Sequence, residues 1–198
     1  MISKAQNKDC SQLAILHLQT INQGFLPKLG VSFLQYLYKF LIQKELVLVY
    51  KEGDEVLGFV SCAISSKGIM KRFFFTSRGG VFQLATALLK KPSLLKPLLE
   101  TYRAPQLSES STEPENKIPE TELLSISVSP AVQKGGIGTQ LLHALEIELK
   151  KMGIVNFKVV AGEALAGANR FYLKNGFVPA KQITIHGNEV SNVYVKEM

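Results

Sequence analysis

Residues 121–152 read TELLSISVSPAVQKGGIGTQLLHALEIELKKM, and the fold turns on how this stretch is read. Leu123, Leu124, Ile126 and Val128 supply the apolar, partly β-branched content of a half-buried strand, which Ser129-Pro130 ends. Gly135, Gly136 and Gly138 then let the backbone come close to something without side chains in the way. Leu141, Leu142, Leu145 and Leu149 repeat at helical spacing, with Glu146 four residues before Lys150 on the exposed side. The order is strand, glycine-rich turn, helix. A glycine turn that opens a helix offers unpaired backbone N–H groups at a positive dipole end, which is a site for an anion. The stretch therefore predicts a phosphate-bearing cofactor.

Two familiar phosphate loops fail on their residues. A Walker loop needs Gly-Lys followed by Ser or Thr, and here Thr139 follows Gly138 directly. The dinucleotide fingerprint needs a third glycine where this chain has Leu141. What remains is Gln133-Lys134-Gly135-Gly136-Ile137-Gly138, of the form Gln/Arg-x-x-Gly-x-Gly/Ala. It resembles the acyl-CoA pyrophosphate loop of the GNAT superfamily of N-acetyltransferases.

A second pattern follows about 35 residues later, Ala168-Asn169-Arg170-Phe171-Tyr172-Leu173-Lys174-Asn175-Gly176-Phe177. Its form, Ala-x-x-Phe-Tyr-x-x-x-Gly-Phe, is similar to the second GNAT signature and comes in the same order. The resemblance implies an α/β fold with a mixed, mostly antiparallel central sheet flanked by helices. It implies that strand 122–128 and strand 157–161 splay apart around the pantetheine arm, with main-chain groups near Ile126 and Val128 pairing to it like an added strand. The backbone of Gln133, Lys134, Gly135, Gly136, Ile137, Gly138 and Thr139 would hold the pyrophosphate. Tyr172 matches the tyrosine that protonates the departing CoA thiolate. An asparagine common three residues before the alanine of this motif is Leu165 here, and Asn169 is the substitute contact.

The rest of the chain fits around these motifs. Asp9 caps a first helix to about Thr20, with Leu13, Leu16 and Thr20 on one face. A second helix follows from Val31 to Gln43, then a hairpin of Leu46–Tyr50 and Val56–Ile64 about the turn Glu52-Gly53-Asp54-Glu55. After the central helix come a short strand over 156–161, a short helix over 167–174 ended by Asn175-Gly176, and a hairpin of 183–185 and 190–195 around His186-Gly187-Asn188.

Composition sets the outer bounds. The chain has 198 residues, enough for one well-buried domain over 1–198, with a 46% hydrophobic fraction. It has no apolar run near the ~20 residues that span a bilayer. MISKAQNKDCSQ lacks the apolar core of a signal peptide. Cys10 and Cys62 have neither disulfide-framework nor metal-site spacing, so the reading is a reduced, cytoplasmic protein without a metal.

The net charge of +7 is local. Between Lys67 and Arg103 stand eight basic residues against Glu100 alone, and the remainder of the chain is balanced. This segment carries Phe73, Phe74 and Phe75, then helical pieces over 81–89 and 93–102 broken at Pro92. Residues 104–120 are rich in Pro, Ser and Glu and read as a mobile loop, so 67–120 is a basic helical insert plus loop. It has three readings: a solvated insert on the sheet edge, a peripheral membrane or nucleic-acid patch, and a substrate lid that meets an acceptor's phosphate. The lid reading is preferred, and no nucleic-acid partner is expected.

The function read from the sequence is transfer of acetyl from acetyl-CoA to a primary amine by direct attack. The amine must arrive neutral, so a carboxylate or a water chain takes its proton. Glu122 at the head of the central strand is the first candidate base, and Glu163 the second. His17 reads as a packed or surface residue, and His143 and His186 are given no role. The start QGFLPKLGVSFLQYLY followed by a helical insert also resembles GNAT members of bacterial surface-polysaccharide synthesis, which implies an amino-sugar acceptor. The alternatives are a CoA-binding regulatory module without catalysis and a protein or peptide N-acetyltransferase. The oligomeric state, monomer or homodimer, is left open.

Overall fold

A computed structural model describes residues 1–21, 24–95, 118–185 and 189–198. Seven strands form one sheet: β1 (Ile2–Lys4), β2 (Leu46–Glu52), β3 (Glu55–Ala63), β4 (Glu122–Val128), β5 (Asn156–Gly162), β6 (Val178–Ile185) and β7 (Glu189–Glu197). Their spatial order is β1-β2-β3-β4-β5-β7-β6. Every neighbouring pair is antiparallel except β4 with β5. The mixed, mostly antiparallel α/β sheet expected from the sequence is the one observed.

Helices cover both faces. Val47, Val49 and Phe59 point to one side, where they pack with α1 (Cys10–Thr20), α2 (Val31–Lys44), α3 (Ile69–Thr76) and α4 (Arg78–Lys90). Leu46, Leu48, Val60 and Cys62 alternate to the other side, under α5 (Ile137–Lys151) and α6 (Ala166–Lys174). A strand buried on both faces reads as a continuous apolar run, which is why LVLVY at 46–50 shows no polar alternation.

Several local expectations change. β1 precedes α1 and pairs Ile2 with Tyr50; a three-residue edge strand leaves no periodic signal in the sequence. Asp9 stands at the start of α1, but its carboxylate accepts from the Gln6 N–H and from Lys51 Nζ at 2.6 Å rather than from the helix amides. Glu146 pairs with Lys196 of β7 and approaches His143, not Lys150.

In the insert, the Phe73–Phe75 run forms α3. Phe73 is fully buried against Phe33, Phe40 and Phe74. α4 starts at Arg78, three residues earlier than its apolar run, because the Ser77 side chain accepts from the Gly80 N–H. Pro92–Leu94 is a 3₁₀ turn. The expected helix over 93–102 and loop over 104–120 otherwise lie outside the described residues as far as 117, as does the hairpin tip 186–188.

Candidate functional site

β4 is fastened to β3 along its length but to β5 at only two positions, Glu122 with Lys158 and Leu123 with Val159. A register shift pairs Ser61 with Ser125 but Cys62 with Leu123, so Leu124 is the extra residue where β4 and β5 part. Ser129 donates its N–H to the Leu57 carbonyl at 2.7 Å, which fixes the phase of the ladder. By antiparallel alternation the main-chain groups of Ser125 and Ser127 then face β3, and those of Ile126 and Val128 face the opposite edge. β5 has left that edge. Among the described residues this strand edge lies open inside the sheet, and only Gln133 reaches it, donating from Nε2 to the Val128 carbonyl at 3.0 Å.

The glycine loop closes the end of this opening. Lys134 and Gly136 both take positive φ, 71° and 75°, and turn the chain sharply into α5. The Gly136 carbonyl accepts from the Gln140 N–H at 3.0 Å, the first bond of the helix. The N–H groups of Ile137, Gly138 and Thr139 precede that bond, so they have no acceptor within the helix, and Gly136 provides no side-chain cap. They point from the positive end of a 15-residue helix. Lys134, Gly135 and Thr139 are exposed, while Ile137 is buried under the helix. The three glycines have different reasons. Gly136 serves the left-handed turn. A Cβ on Gly138 would meet the Phe171 ring at 3.4 Å and Val128 at 3.9 Å, so its closest neighbours are protein. A Cβ on Gly135 would meet nothing nearer than the Val132 carbonyl at 3.5 Å.

Tyr172 sits on α6 in the same packed cluster as Leu123 and Val159, with Ile126, Val128 and Phe171 against it. Its ring meets Phe171, Phe177 and Tyr194. The side chain is 6% exposed, yet its oxygen is not among the fully buried unpartnered atoms and makes no hydrogen bond among the described residues. An apolar-packed phenol with a free, accessible oxygen is poised to donate to something not supplied by the fold. Burial pushes its pKa well above that of an ordinary tyrosine, so the hydroxyl keeps its proton.

The remaining sequence candidates are placed as follows. Glu122 stands at the closed end of the opening, half-buried, with Lys158 Nζ at 3.5 Å. Glu163 accepts from Gln182 Nε2 on the surface. Asn169 has no free capacity. Its Nδ2 donates to the carbonyls of Gly162, Glu163 and Leu165, and its Oδ1 accepts from Asn192 and Tyr194. It locks the turn from β5 into α6 onto β7, so we give it no cofactor contact.

One group of residues escaped the sequence reading. On the α1 side of β4, Ser127 donates to the Thr20 hydroxyl, and Ser125 meets the hydroxyl of Tyr38. Tyr38 in turn shares a 2.7 Å hydrogen bond with His17 Nδ1. His17 is 2% exposed and stacked on Phe59, and its Nε2 is a buried atom without a partner among the described residues. Burial holds the imidazole down at about 4, so it is neutral near pH 7. The only signal in the sequence was the serine alternation in LLSISV, which reads equally as a solvent face.

Among the described residues no group of three or more His, Cys, Asp or Glu side chains could hold a metal, and no helix is long and apolar enough to cross a membrane. Residues 108–179 match the family model of the acetyltransferase (GNAT) domain. This range spans the open strand, the glycine loop, α5 and the Tyr172 helix. No curated protein matches the chain. Among solved structures, the chain is similar to an N-acetyltransferase from Staphylococcus aureus Mu50 at 18% identity and a TM-score of 0.66, covering 99% of this chain and 100% of that one. It is also similar to the ribosomal-protein-S18-alanine N-acetyltransferase of Escherichia coli, at 15% identity and a TM-score of 0.61 over 100% and 92% of the two chains. A ribosomal-protein-alanine N-acetyltransferase from Brucella melitensis matches at 14% identity and 0.62 over 100% and 99%. At these identities the likeness is one of fold.

Proposed function

We propose that this chain, as a single domain over 1–198, transfers acetyl from acetyl-CoA to a primary amine by direct attack. The observation that supports it most is the open edge of β4 beside the unaccepted N–H groups at the start of α5. An extended amide-bearing arm fits the first, and a pyrophosphate fits the second. In this reading the main-chain groups of Ile126 and Val128 bind the pantetheine amides, and the loop Gln133–Thr139 holds the pyrophosphate. Bound acetyl-CoA supplies an acyl group already activated as a thioester.

The chain's own residues then move protons and hold geometry. Tyr172 donates its hydroxyl proton to the departing sulfur. A thiol near ~8.5 lies below even an ordinary tyrosine near ~10, so the transfer depends on positioning at the sulfur as charge develops there. Glu122 takes the amine's proton, directly or through water, and Lys158 beside it fixes the carboxylate. Orienting two bound substrates supplies the main acceleration, and no covalent enzyme intermediate is required.

For the acceptor we favour a small-molecule amine such as an amino sugar. A peptide N-terminus is the second reading, because two of the similar folds carry the names of ribosomal-protein alanine N-acetyltransferases. Release of free thiol from acetyl-CoA, measured across amino sugars, polyamines and an alanine-led peptide, tests both. Thiol release that depends on one amine class supports the enzyme and names the acceptor. CoA binding with no amine-dependent release across the panel would favour a CoA-binding module without catalysis.

A further inference from the structure

We infer that the α3–α4 segment is a docking face for the surface of an anionic lipid bilayer. α4 is apolar on two opposite sides. The inner side is fixed to the body: Leu84 is buried, and Gly79 and Gly80 lie so close to Tyr36 and Phe73 that an added Cβ on either would come within 2.4 Å. The outer side carries Val81, Phe82 and Leu89. Phe82 and Leu89 are two helical turns apart, so they share a face, and they are 65% and 82% exposed. Phe75, in the last turn of α3, is 78% exposed, and Leu95 just beyond the Pro92 turn is also exposed. Large apolar side chains left in water along one helix mark a surface that another phase covers.

The charge on this face selects the occupant. From Lys67 to Leu95 there are six basic residues and no acidic one. Arg72 is paired with Glu45, whereas Lys71, Arg78, Lys90 and Lys91 are exposed and make no ion pair among the described residues. Cations beside exposed Phe and Leu on a helix too short to cross a membrane are the composition of a helix that lies in the lipid headgroup layer. A second copy of this face would bring like charges together. Nucleic acid would use the cations and Phe82 but has no place for Leu89 and Leu95. The same geometry argues against a lid, since the glycine contacts hold α4 against α2 and its free side faces outward.

The test is co-sedimentation of the full chain with phosphatidylcholine vesicles, with and without phosphatidylglycerol, at low and high salt. Binding is expected to the anionic vesicles only and to weaken with salt. Lys90→Gln with Lys91→Gln should weaken it about fivefold per charge removed. Phe82→Ser should weaken it on the order of tenfold, with an unchanged circular dichroism melt as the folding control. The inference is overturned if anionic vesicles do not sediment the protein, or if neutral vesicles do so equally. Sedimentation unchanged in both variants overturns it as well. So does a vesicle-free dimer that Phe82→Ser dissolves, or a preference for single-stranded RNA over vesicles.

Discussion

Gly138 and Phe171 stand face to face: a Cβ on the first would lie 3.4 Å from Cε2 of the second. They are the last glycine of the loop motif and the aromatic residue beside Tyr172, so the two sequence motifs meet as a packing contact. Gly138→Ala should fold with stability within about 1 kcal/mol of the parent, since the helix gains what the tight contact costs. A rise in the KM for acetyl-CoA with an unchanged melt would show that the glycine also serves the ligand. An unchanged KM would leave it a packing residue. Gly138→Val should lower the melting temperature, because the larger side chain collides with Phe171 and Val128.

Tyr172→Phe keeps the ring contacts and removes only the free hydroxyl. We expect kcat to fall on the order of a hundredfold with the KM for acetyl-CoA nearly unchanged. Because burial raises the Tyr172 pKa, the hydroxyl stays protonated through pH 10, and no alkaline decline in kcat below that pH belongs to it. Turnover equal to the parent would remove its role as acid.

Glu122→Gln preserves size and loses the proton acceptor. A tenfold or larger drop in kcat, with acetyl-CoA binding intact by calorimetry, is the outcome expected of the base. Parental turnover would assign the proton to solvent instead.

His17 makes stability depend on pH. Its pKa is about 4 in the fold against 6.5 for a free imidazole, so the unfolded chain binds the proton more readily. The stabilising contribution is complete above pH 6.5 and is lost as pH falls toward 4, amounting to about 3 kcal/mol. Urea denaturation at pH 7 and pH 4.5 should show that loss, and His17→Gln should flatten the slope between them. An unaltered slope in the variant would place the acid sensitivity elsewhere.

Gly80→Ala probes how α4 is held. The new methyl would sit 2.4 Å from Cζ of Phe73, which is fully buried and has nowhere to go, so a loss of about 1–3 kcal/mol is expected in chemical denaturation. Gly79→Ala meets Tyr36, which is partly exposed and can swing aside, and should cost less.

The strand–loop–helix half of the candidate site is legible because it is built from backbone geometry. Gly136 at positive φ, the end of the strand at Ser129-Pro130 and the helical leucines all leave marks in composition. The polar cluster of His17, Tyr38 and Ser125 leaves only the serine alternation of LLSISV. Its members are 108 residues apart at the extremes and become neighbours only when β4 is laid across α1 and α2. Glu122 reads as a strand-end carboxylate, but its ion pair with Lys158 depends on a parallel register that no local pattern encodes. The strand at Ile2–Lys4 is silent in the sequence for the opposite reason, being too short to have a period. In the insert, Phe73 and Phe75 looked equivalent. One became the centre of an aromatic cluster and the other the most exposed phenylalanine of the two, a difference set by which side of α3 faces α2.

Among the described residues two register pairs, Glu122 with Lys158 and Leu123 with Val159, join β4 to β5, with Lys158 donating its N–H to the Thr121 carbonyl just before them. Mechanically the protein is two plates meeting at a notch, with α5 as the brace across it. Load on the sheet concentrates at that seam, and anything lying along the free edge of β4 acts as a splint for the whole molecule. Slowed amide exchange at Lys158, whose N–H donates to the Thr121 carbonyl at 2.9 Å across the seam, would then report that the splint is in place.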